Sequence, residues 1–156
     1  MTVKIRPAEE KDIPRMGALL RQVCAVHAAL RPDLFVSGGR KYTDGELREI
    51  LGDPARPVLA AADGEDRMIG YAFCEIRAQG GALRPGRELY LDDLCVEETC
   101  RGQGVGSALF EGVTALARER GCGRITLNVW AGNDAAEAFY RSRGMTVMKT
   151  ALEMEV

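Results

Sequence analysis

The chain has 156 residues, which suits one compact domain, and we expect a single domain over residues 1–156. A net charge of -2 at pH 7 argues against a strongly basic nucleic-acid-binding protein, so no nucleic-acid partner is expected. No apolar run approaches the roughly 20 residues that a membrane-spanning helix needs. The sequence also opens without an apolar signal region, so a cytoplasmic protein with no membrane partner is the expectation.

The cysteine and histidine content argues against a metal site and against a disulfide framework. There are five cysteines, an odd number, and no two of them are spaced C-x-x-C. His27 is the one histidine in the chain, so residues that commonly bind zinc are scarce. We expect no metal, and free thiols in a reducing compartment.

The first third of the chain predicts a strand, two helices and a loop. Residues 2–6 alternate like a short strand. Apolar residues then recur every three or four positions, which predicts a helix that Pro32 ends. Residues 35–45 are typical of a loop. Thr43 and Glu46 have the spacing of a capping box, which predicts the start of a second, short helix.

The rest of the chain predicts more strands and two further helices. Residues 58–63 and 67–76 are typical of a β-hairpin. The remaining predicted elements are a strand over 88–96, a helix over 104–120, a strand over 124–130, a helix that Asn133 caps and that runs to about 143, and one or two weak strands within 145–156. This order predicts an α/β, or α+β, sandwich with a mixed sheet.

The stretch 100-CRGQGVGSALF-110 is a glycine-rich turn that leads into a helix. A P-loop would require a lysine after Gly106, and Ser107 stands there instead. A dinucleotide fingerprint would require a third glycine and an acidic residue about 20 positions on, and both are missing. The pattern R-x-x-G-x-G, formed by Arg101, Gly104 and Gly106, remains. It predicts a backbone cradle for a pyrophosphate, with a turn that merely packs as the alternative.

The second half of the chain resembles a known family. Residues 88–145, which contain this glycine pattern and N-x-x-A-x-x-F-Y after the next strand, resemble the core of the GNAT superfamily of acyl-CoA N-acyltransferases. Residues 3–20 also resemble the first strand and helix of that superfamily. The stretch 89-LYLDDLCV-96 is similar to the diamine and polyamine acetyltransferase branch. The resemblance implies a mixed, mostly antiparallel central sheet with helices on both faces.

The resemblance also implies acetyl-CoA, or coenzyme A, as the bound acyl donor. The glycine loop would bind the pyrophosphate, and the preceding strand would pair with the pantetheine. The residues that the resemblance assigns to coenzyme A are Leu94, Cys95, Val96, Arg101, Gly102, Gln103, Gly104, Val105, Gly106, Ser107, Asn133, Ala136, Tyr140 and Arg143. For Asn133 a role as helix cap, and for Arg143 a role at the end of the helix dipole, are the simpler alternatives.

Three residues are candidates for proton transfer. The resemblance implies that Tyr140 protonates the departing thiolate of coenzyme A. It also implies a carboxylate base that acts through water at Asp92, the preferred candidate, or at Asp93. Neighbouring residues on a strand face opposite sides, so only one of the two is expected to line the cleft unless a bulge intervenes. A mechanism without any carboxylate base stays open. Cys95 is expected to be packed, and direct transfer needs no nucleophilic residue.

The acceptor pocket of the family is built from the first helices and the loop between them, with a contribution from a strand. The resemblance therefore implies substrate contacts at His27, Phe35, Tyr42 and Tyr71, although His27 lies on an apolar helix face, where a histidine packed in the core is the simpler alternative. Acidic residues near the cleft favour a cationic amine, either on a small molecule or on a peptide, with a solvated strand end as the alternative explanation of these charges. We expect an N-acetyltransferase, with a non-catalytic acyl-CoA sensor as the alternative. The resemblance also implies a homodimer, with contacts through the C-terminal strands.

Overall fold

A five-stranded sheet forms the centre of the structure, a computed structural model that describes residues 2–156. The strands are β1 (Lys4–Pro7), β2 (Val58–Ala62), β3 (Met68–Gln79), β4 (Gly86–Val96) and β5 (Arg124–Thr126). The helices are α1 (Ile13–Leu30), α2 (Asp44–Leu51), α3 (Val105–Glu119) and α4 (Asp134–Ser142). Among the described residues, no helix is long and apolar enough to cross a membrane.

The strands follow one another across the sheet in chain order. The first four form an antiparallel meander. β5 then joins β4 in parallel, after the crossover that contains α3. The prediction of a mixed and mostly antiparallel sheet is confirmed.

The sheet is covered on both faces, as predicted. On one face α1 and α2 bury Met16, Leu19, Leu47 and Ile50 against the sheet residues Tyr71 and Phe73. On the other face α3 buries Val105, Leu109 and Val113 against Ile69 and Leu91. Apolar side chains at helical spacing account for both layers, because each helix presents one apolar stripe to the sheet.

A β-bulge in β4 controls the direction of its acidic residues. Phe73 of β3 pairs with Asp93, and Cys74 pairs with Leu91, so Asp92 is an extra residue without a partner on β3. Leu91 packs under α3, whereas Asp92 and Asp93 both contact tyrosines on the α1 and α2 side. The bulge therefore brings two adjacent carboxylates to one face of the sheet. We expected only one of them to line the cleft unless a bulge intervened, and the structure contains such a bulge.

Several predicted helix boundaries are confirmed in detail. Thr43 and Glu46 form the reciprocal capping box at the start of α2. The Asn133 side chain accepts a hydrogen bond from the Ala136 amide at the start of α4, at 3.3 Å. These caps depend on residues three positions apart, so the local sequence is sufficient to predict them.

Two strand predictions are wrong. β5 ends at Thr126 and not at residue 130, because the chain leaves β4 beyond that point. Residues 145–156 form no strand in the structure. Leu152 and Met154, which alternate as strand residues would, are 92% and 82% exposed. An extended segment becomes a strand only when a neighbouring strand pairs with its backbone, and the described chain supplies none here.

Candidate active site

A cleft opens where β4 and β5 diverge. β5 pairs with β4 only over Glu88–Tyr90. From Leu91 to Val96, β4 therefore has a strand neighbour among the described residues on its β3 side alone. The open backbone flank includes Leu94, Cys95 and Val96, the residues predicted to pair with pantetheine. An unpaired strand flank binds an extended ligand through backbone groups.

Cys95 is packed, as predicted. Its side chain is buried against α1, with Sγ 3.7 Å from the carbonyl oxygen of Leu19. Burial raises the pKa of the thiol to about 12, so it stays protonated at neutral pH. A protonated, buried thiol is a poor nucleophile.

The glycine loop has the backbone geometry of an anion cradle. Gly102 and Gly104 have φ angles of 74° and 81°, in the left-handed region that other residues adopt only with strain. Gly104 is also the N-cap of α3, which begins at Val105 without a side-chain cap. The first N–H groups of the helix therefore lack intrahelical partners and face the loop. These features fit the pyrophosphate of coenzyme A.

Arg101 fixes the loop to the end of β4. Its Nε donates a hydrogen bond to the carbonyl oxygen of Val96 at 3.2 Å, and the rest of the side chain is exposed. The two roles considered from the sequence, fixing the loop and contacting a phosphate, are compatible because the guanidinium has further donors.

Asp93 lies partly buried at the centre of the cleft wall. The hydroxyl of Tyr71 donates a hydrogen bond to Asp93 Oδ2 at 2.7 Å. Burial raises the pKa of Asp93 to about 6, although the bond from Tyr71 favours the charged form and opposes that rise. A carboxylate with such a pKa is a stronger base than an ordinary aspartate and is still ionised at pH 7.

Asp92 has a different environment on the same face. Lys41 Nζ lies 2.7 Å from Asp92 Oδ1, and the Tyr42 hydroxyl donates to Asp92 Oδ2 at 2.6 Å. Both partners come from the loop of residues 31–43 between α1 and α2, which we call the acceptor loop. Asp92 is therefore paired with a cation, whereas the donors to Asp93 are neutral groups, the Tyr71 hydroxyl and the Leu94 backbone amide.

Tyr140 of α4 packs in the apolar cluster on the α3 face of the sheet. Its ring packs against Phe110 and Phe139, with centroid distances of 6.1 and 5.2 Å. Burial, together with the negative charge of Asp93, raises the pKa of the Tyr140 phenol. Tyr140 therefore remains protonated at neutral pH, as a proton donor must be.

The predicted coenzyme residues of α4 have structural roles as well. Asn133 and Ala136 form the N-terminal cap described above. Arg143 follows α4, and its guanidinium carbon lies 5.8 Å from the centroid of the Phe139 ring. Arg143 and Arg118 line a surface groove of about 460 Å³ between α3 and α4. A contact between Arg143 and a phosphate stays a prediction.

Three aromatic side chains form a cluster beside the acceptor loop. His27 and Phe35 have ring centroids 5.0 Å apart, and Phe35 meets Trp130 edge-on at 5.3 Å. Burial and the charge of Lys41 lower the pKa of His27, so it is neutral at pH 7. His27 and Phe35 were predicted to contact the acceptor, and that role stays a prediction.

Tyr71 lies in the buried core, and its contact with the acceptor stays a prediction. Its side chain is fully buried between β3 and the helices, and its hydroxyl reaches Asp93. The hydroxyl of Tyr71 would therefore act on an acceptor through Asp93.

Sequence reasoning missed Lys41 and Trp130. Trp130 was assigned to a strand, and nothing in the sequence around Lys41 indicated a contact with a residue 51 positions away.

Comparison with known proteins agrees with this geometry. The model of the acetyltransferase (GNAT) family matches residues 24–145. The chain is 30% identical to thialysine N-epsilon-acetyltransferase of Bos taurus, over 91% of this chain and 83% of that protein. It is 30% identical to aminoglycoside N(6')-acetyltransferase type 1 of Klebsiella aerogenes, over 91% and 88%.

A solved structure has the same fold. A mutant of the BH1408 protein from Bacillus halodurans superimposes with a TM-score of 0.93 at 28% identity, over 98% of this chain and 99% of that chain. The family match covers most of the cleft, including the glycine loop and Tyr140. The chain therefore belongs to the GNAT acetyltransferase family and is an N-acetyltransferase that takes its acyl group from acetyl-CoA.

Proposed function

We propose that the enzyme acetylates a primary amine of a small acceptor that carries a second positive charge. Asp93 takes the proton of the attacking amine, Asp92 attracts the second charge, and Tyr140 protonates the leaving thiolate. The observation that carries the proposal is the bulge at Asp92, which turns both carboxylates toward one side of the cleft.

Acetyl-CoA supplies an activated acetyl thioester. The left-handed glycines and the uncapped start of α3 support a role in binding its pyrophosphate. The open flank of β4 supports a role for Leu94 and Val96 in aligning the pantetheine. An N–H group near Val96 would then stabilise charge on the carbonyl oxygen of the thioester.

Deprotonation of the amine is the main chemical difficulty. An alkyl amine with a pKa near 10.4 is neutral in about one molecule in 2,500 at pH 7, a cost of about 4.6 kcal/mol. Asp93, with a pKa of about 6, can accept that proton directly or through a water molecule. Asp92 is less suited to this step because Lys41 and Tyr42 already bond to its two oxygens.

Tyr140 is the proposed general acid. Burial and Asp93 keep its phenol protonated, and a phenol can donate a proton to a thiolate that leaves beside it. We assign the two proton transfers to different residues. Asp93 on β4 serves the incoming amine, and Tyr140 on α4 serves the departing sulfur.

The acceptor class follows from charge and from the relatives. Thialysine and aminoglycosides, which the names of two relatives specify, each carry more than one amine. The paired carboxylates Asp92 and Asp93 would attract such a molecule. Another relative is a peptidyl-lysine N-acetyltransferase of Salmonella typhimurium, so a peptide amine is the second candidate acceptor.

A homodimer is part of the proposal. Residues 145–156 form no helix or strand, and their apolar side chains Leu152, Met154 and Val156 alternate and are exposed. The outer edge of β5 has no strand neighbour among the described residues. Pairing of these segments between two copies would cover both. Sedimentation of the chain and of a Leu152→Asp variant tests this, with a shift from dimer to monomer as the expected result.

The five free thiols support a reducing compartment such as the cytoplasm.

An amine panel tests the enzymatic function. Thiol release from acetyl-CoA is measured with 1,4-diaminobutane, thialysine, an aminoglycoside and a lysine-containing peptide. We expect release that depends on the amine and is fastest with a small polyamine-like acceptor. Tight binding of coenzyme A without turnover on any amine would instead identify a sensor.

A further inference from the structure

The ammonium group of Lys41 contacts Asp92, the carboxylate that we propose binds the second charge of the acceptor. Its Nζ lies 2.7 Å from Asp92 Oδ1 and 5.4 Å from the centroid of the Tyr42 ring. The Asp92 side chain is only 18% exposed, so most of the carboxylate is shielded from water. A primary ammonium on a four-carbon chain is the same chemical group as one end of a diamine.

The charge of Lys41 contributes to the pKa shifts of two further residues, in which burial is the larger cause. It lowers the pKa of His27, which lies in the aromatic cluster, and it favours the charged form of Asp93. Burial disfavours the charge on Lys41 itself, but the pair with Asp92 outweighs that effect and raises its pKa. Lys41 is therefore a full cation at neutral pH, and it contacts Asp92 directly.

The backbone on both sides of Lys41 is fixed. Arg40 bonds to the carbonyl oxygen of Tyr42, and its guanidinium pairs with Asp44 at 2.7 Å. The same guanidinium packs against α1, where a Cβ on Gly17 would lie 2.7 Å from it. By contrast, the Lys41 side chain is half exposed. It can leave Asp92 for solvent by rotation of its own bonds while the acceptor loop stays in place.

We propose that Lys41 is a specificity-determining residue that occupies Asp92 as an internal competitor of the acceptor's second ammonium group. The inference rests on the proposed function, because it assigns Asp92 to the acceptor. A dicationic acceptor must displace Lys41 before it can pair with Asp92. An acceptor with one amine and a neutral end gains nothing from that displacement.

The test compares two acceptors of equal length in four forms of the enzyme. The acceptors are 1,4-diaminobutane and 4-amino-1-butanol, which differ only in the group that would face Asp92. The proteins are wild type, Lys41→Met, Lys41→Arg and, as a matched control at an exposed lysine on β1, Lys4→Met. Saturating acetyl-CoA is used, and KM and kcat are determined separately.

We expect Lys41→Met to lower the KM for 1,4-diaminobutane about fivefold, the factor that corresponds to one partly exposed ion pair. The kcat should stay within about twofold, because Lys41 takes no part in proton transfer. The KM for 4-amino-1-butanol should not change, and Lys41→Arg and Lys4→Met should resemble wild type. An unchanged or higher KM for the diamine in Lys41→Met would overturn the inference.

Calorimetry separates this inference from the proposed function. Binding of 1,4-diaminobutane to each protein is titrated in the presence of coenzyme A. If no amine is acetylated, the proposed function fails, yet tighter binding by Lys41→Met would still support the competition. Equal binding, or no binding to either protein, would overturn it. Lys41→Gln is measured alongside, so that the result does not depend on the folding of one variant.

Discussion

The hydroxyl of Tyr71 on β3 donates a hydrogen bond of 2.7 Å to Asp93 on β4. Asp93 pairs across the sheet with Phe73, which lies two residues after Tyr71 on β3. Tyr71 is fully buried, and the pKa of its phenol lies well above 10 because burial and the nearby carboxylates disfavour its ionisation. Tyr71 therefore acts only as a donor. It favours the charged form of Asp93 at a position where burial would otherwise neutralise the carboxylate.

This relationship predicts the pH dependence of the reaction. Asp93 works as a base only when it is ionised, so kcat/KM should fall as the pH drops through about 6. Tyr71→Phe removes a bond to the charged form, which raises the pKa of Asp93. We expect the acidic limb of the pH profile to move upward by roughly one unit. An unmoved limb would mean that another group titrates there.

Tyr140→Phe should reduce turnover far more than affinity for the donor. The change removes the proposed proton donor and keeps the ring that packs on Phe110 and Phe139. We expect kcat to fall about 100-fold, the lower end for loss of a general acid. Calorimetric affinity for coenzyme A is the control and should stay the same. Equal kcat in the two proteins would remove Tyr140 as the acid.

Gly104→Ala should weaken binding of the donor. Gly104 has a φ of 81°, so an alanine there is strained by about 1 kcal/mol, and relief of that strain would distort the cradle. We expect the KM for acetyl-CoA to rise about tenfold or more, whereas the KM for the amine changes little. Gly80→Ala is the matched control, because a Cβ at that position in the β3–β4 turn meets no atom within 4 Å.

Asp12→Ala should destabilise the fold without altering the chemistry. Arg6 and Asp12 are 8% and 3% exposed and form a two-pronged ion pair, which Asp66 extends from the β2–β3 turn. Loss of one partner leaves a buried cation with only Asp66, at a cost of about 3 kcal/mol. Chemical denaturation measures this cost, and kcat at low temperature should equal that of wild type.

The same pair predicts a loss of stability in acid. Burial alone would raise the pKa of Asp12, but hydrogen bonds from Arg6 and from the Glu9 amide lower it below its usual value. The stabilisation that Asp12 contributes is therefore present above about pH 4 and is lost as the pH falls further. In Asp12→Ala this part of the acid dependence should disappear.

The features that could be predicted from the sequence are those that neighbouring residues determine. Gly104 follows Arg101 by three positions at a strand-to-helix junction, and its left-handed backbone explains why glycine stands there. Asn133 caps a helix that begins at the next residue. Tyr140 follows from a pattern within one helix. Each of these depends on backbone geometry that spans only a few positions.

The features that could not be predicted depend on pairing between distant segments. The common direction of Asp92 and Asp93 comes from the register between β3 and β4, which no local pattern shows. Lys41 meets Asp92 because α2 and the acceptor loop pack on the sheet. The segment 145–156 has the alternation of a strand, but whether it forms one depends on a partner for its backbone.

The roles of the two carboxylates provide the most direct test of this account. Asp93→Asn and Asp92→Asn each remove one charge and keep the shape of the side chain. Steady-state kinetics with 1,4-diaminobutane should show kcat reduced at least about 100-fold in Asp93→Asn, and chiefly a higher KM in Asp92→Asn. A wild-type kcat in Asp93→Asn, with the large loss of kcat in Asp92→Asn instead, would contradict the account.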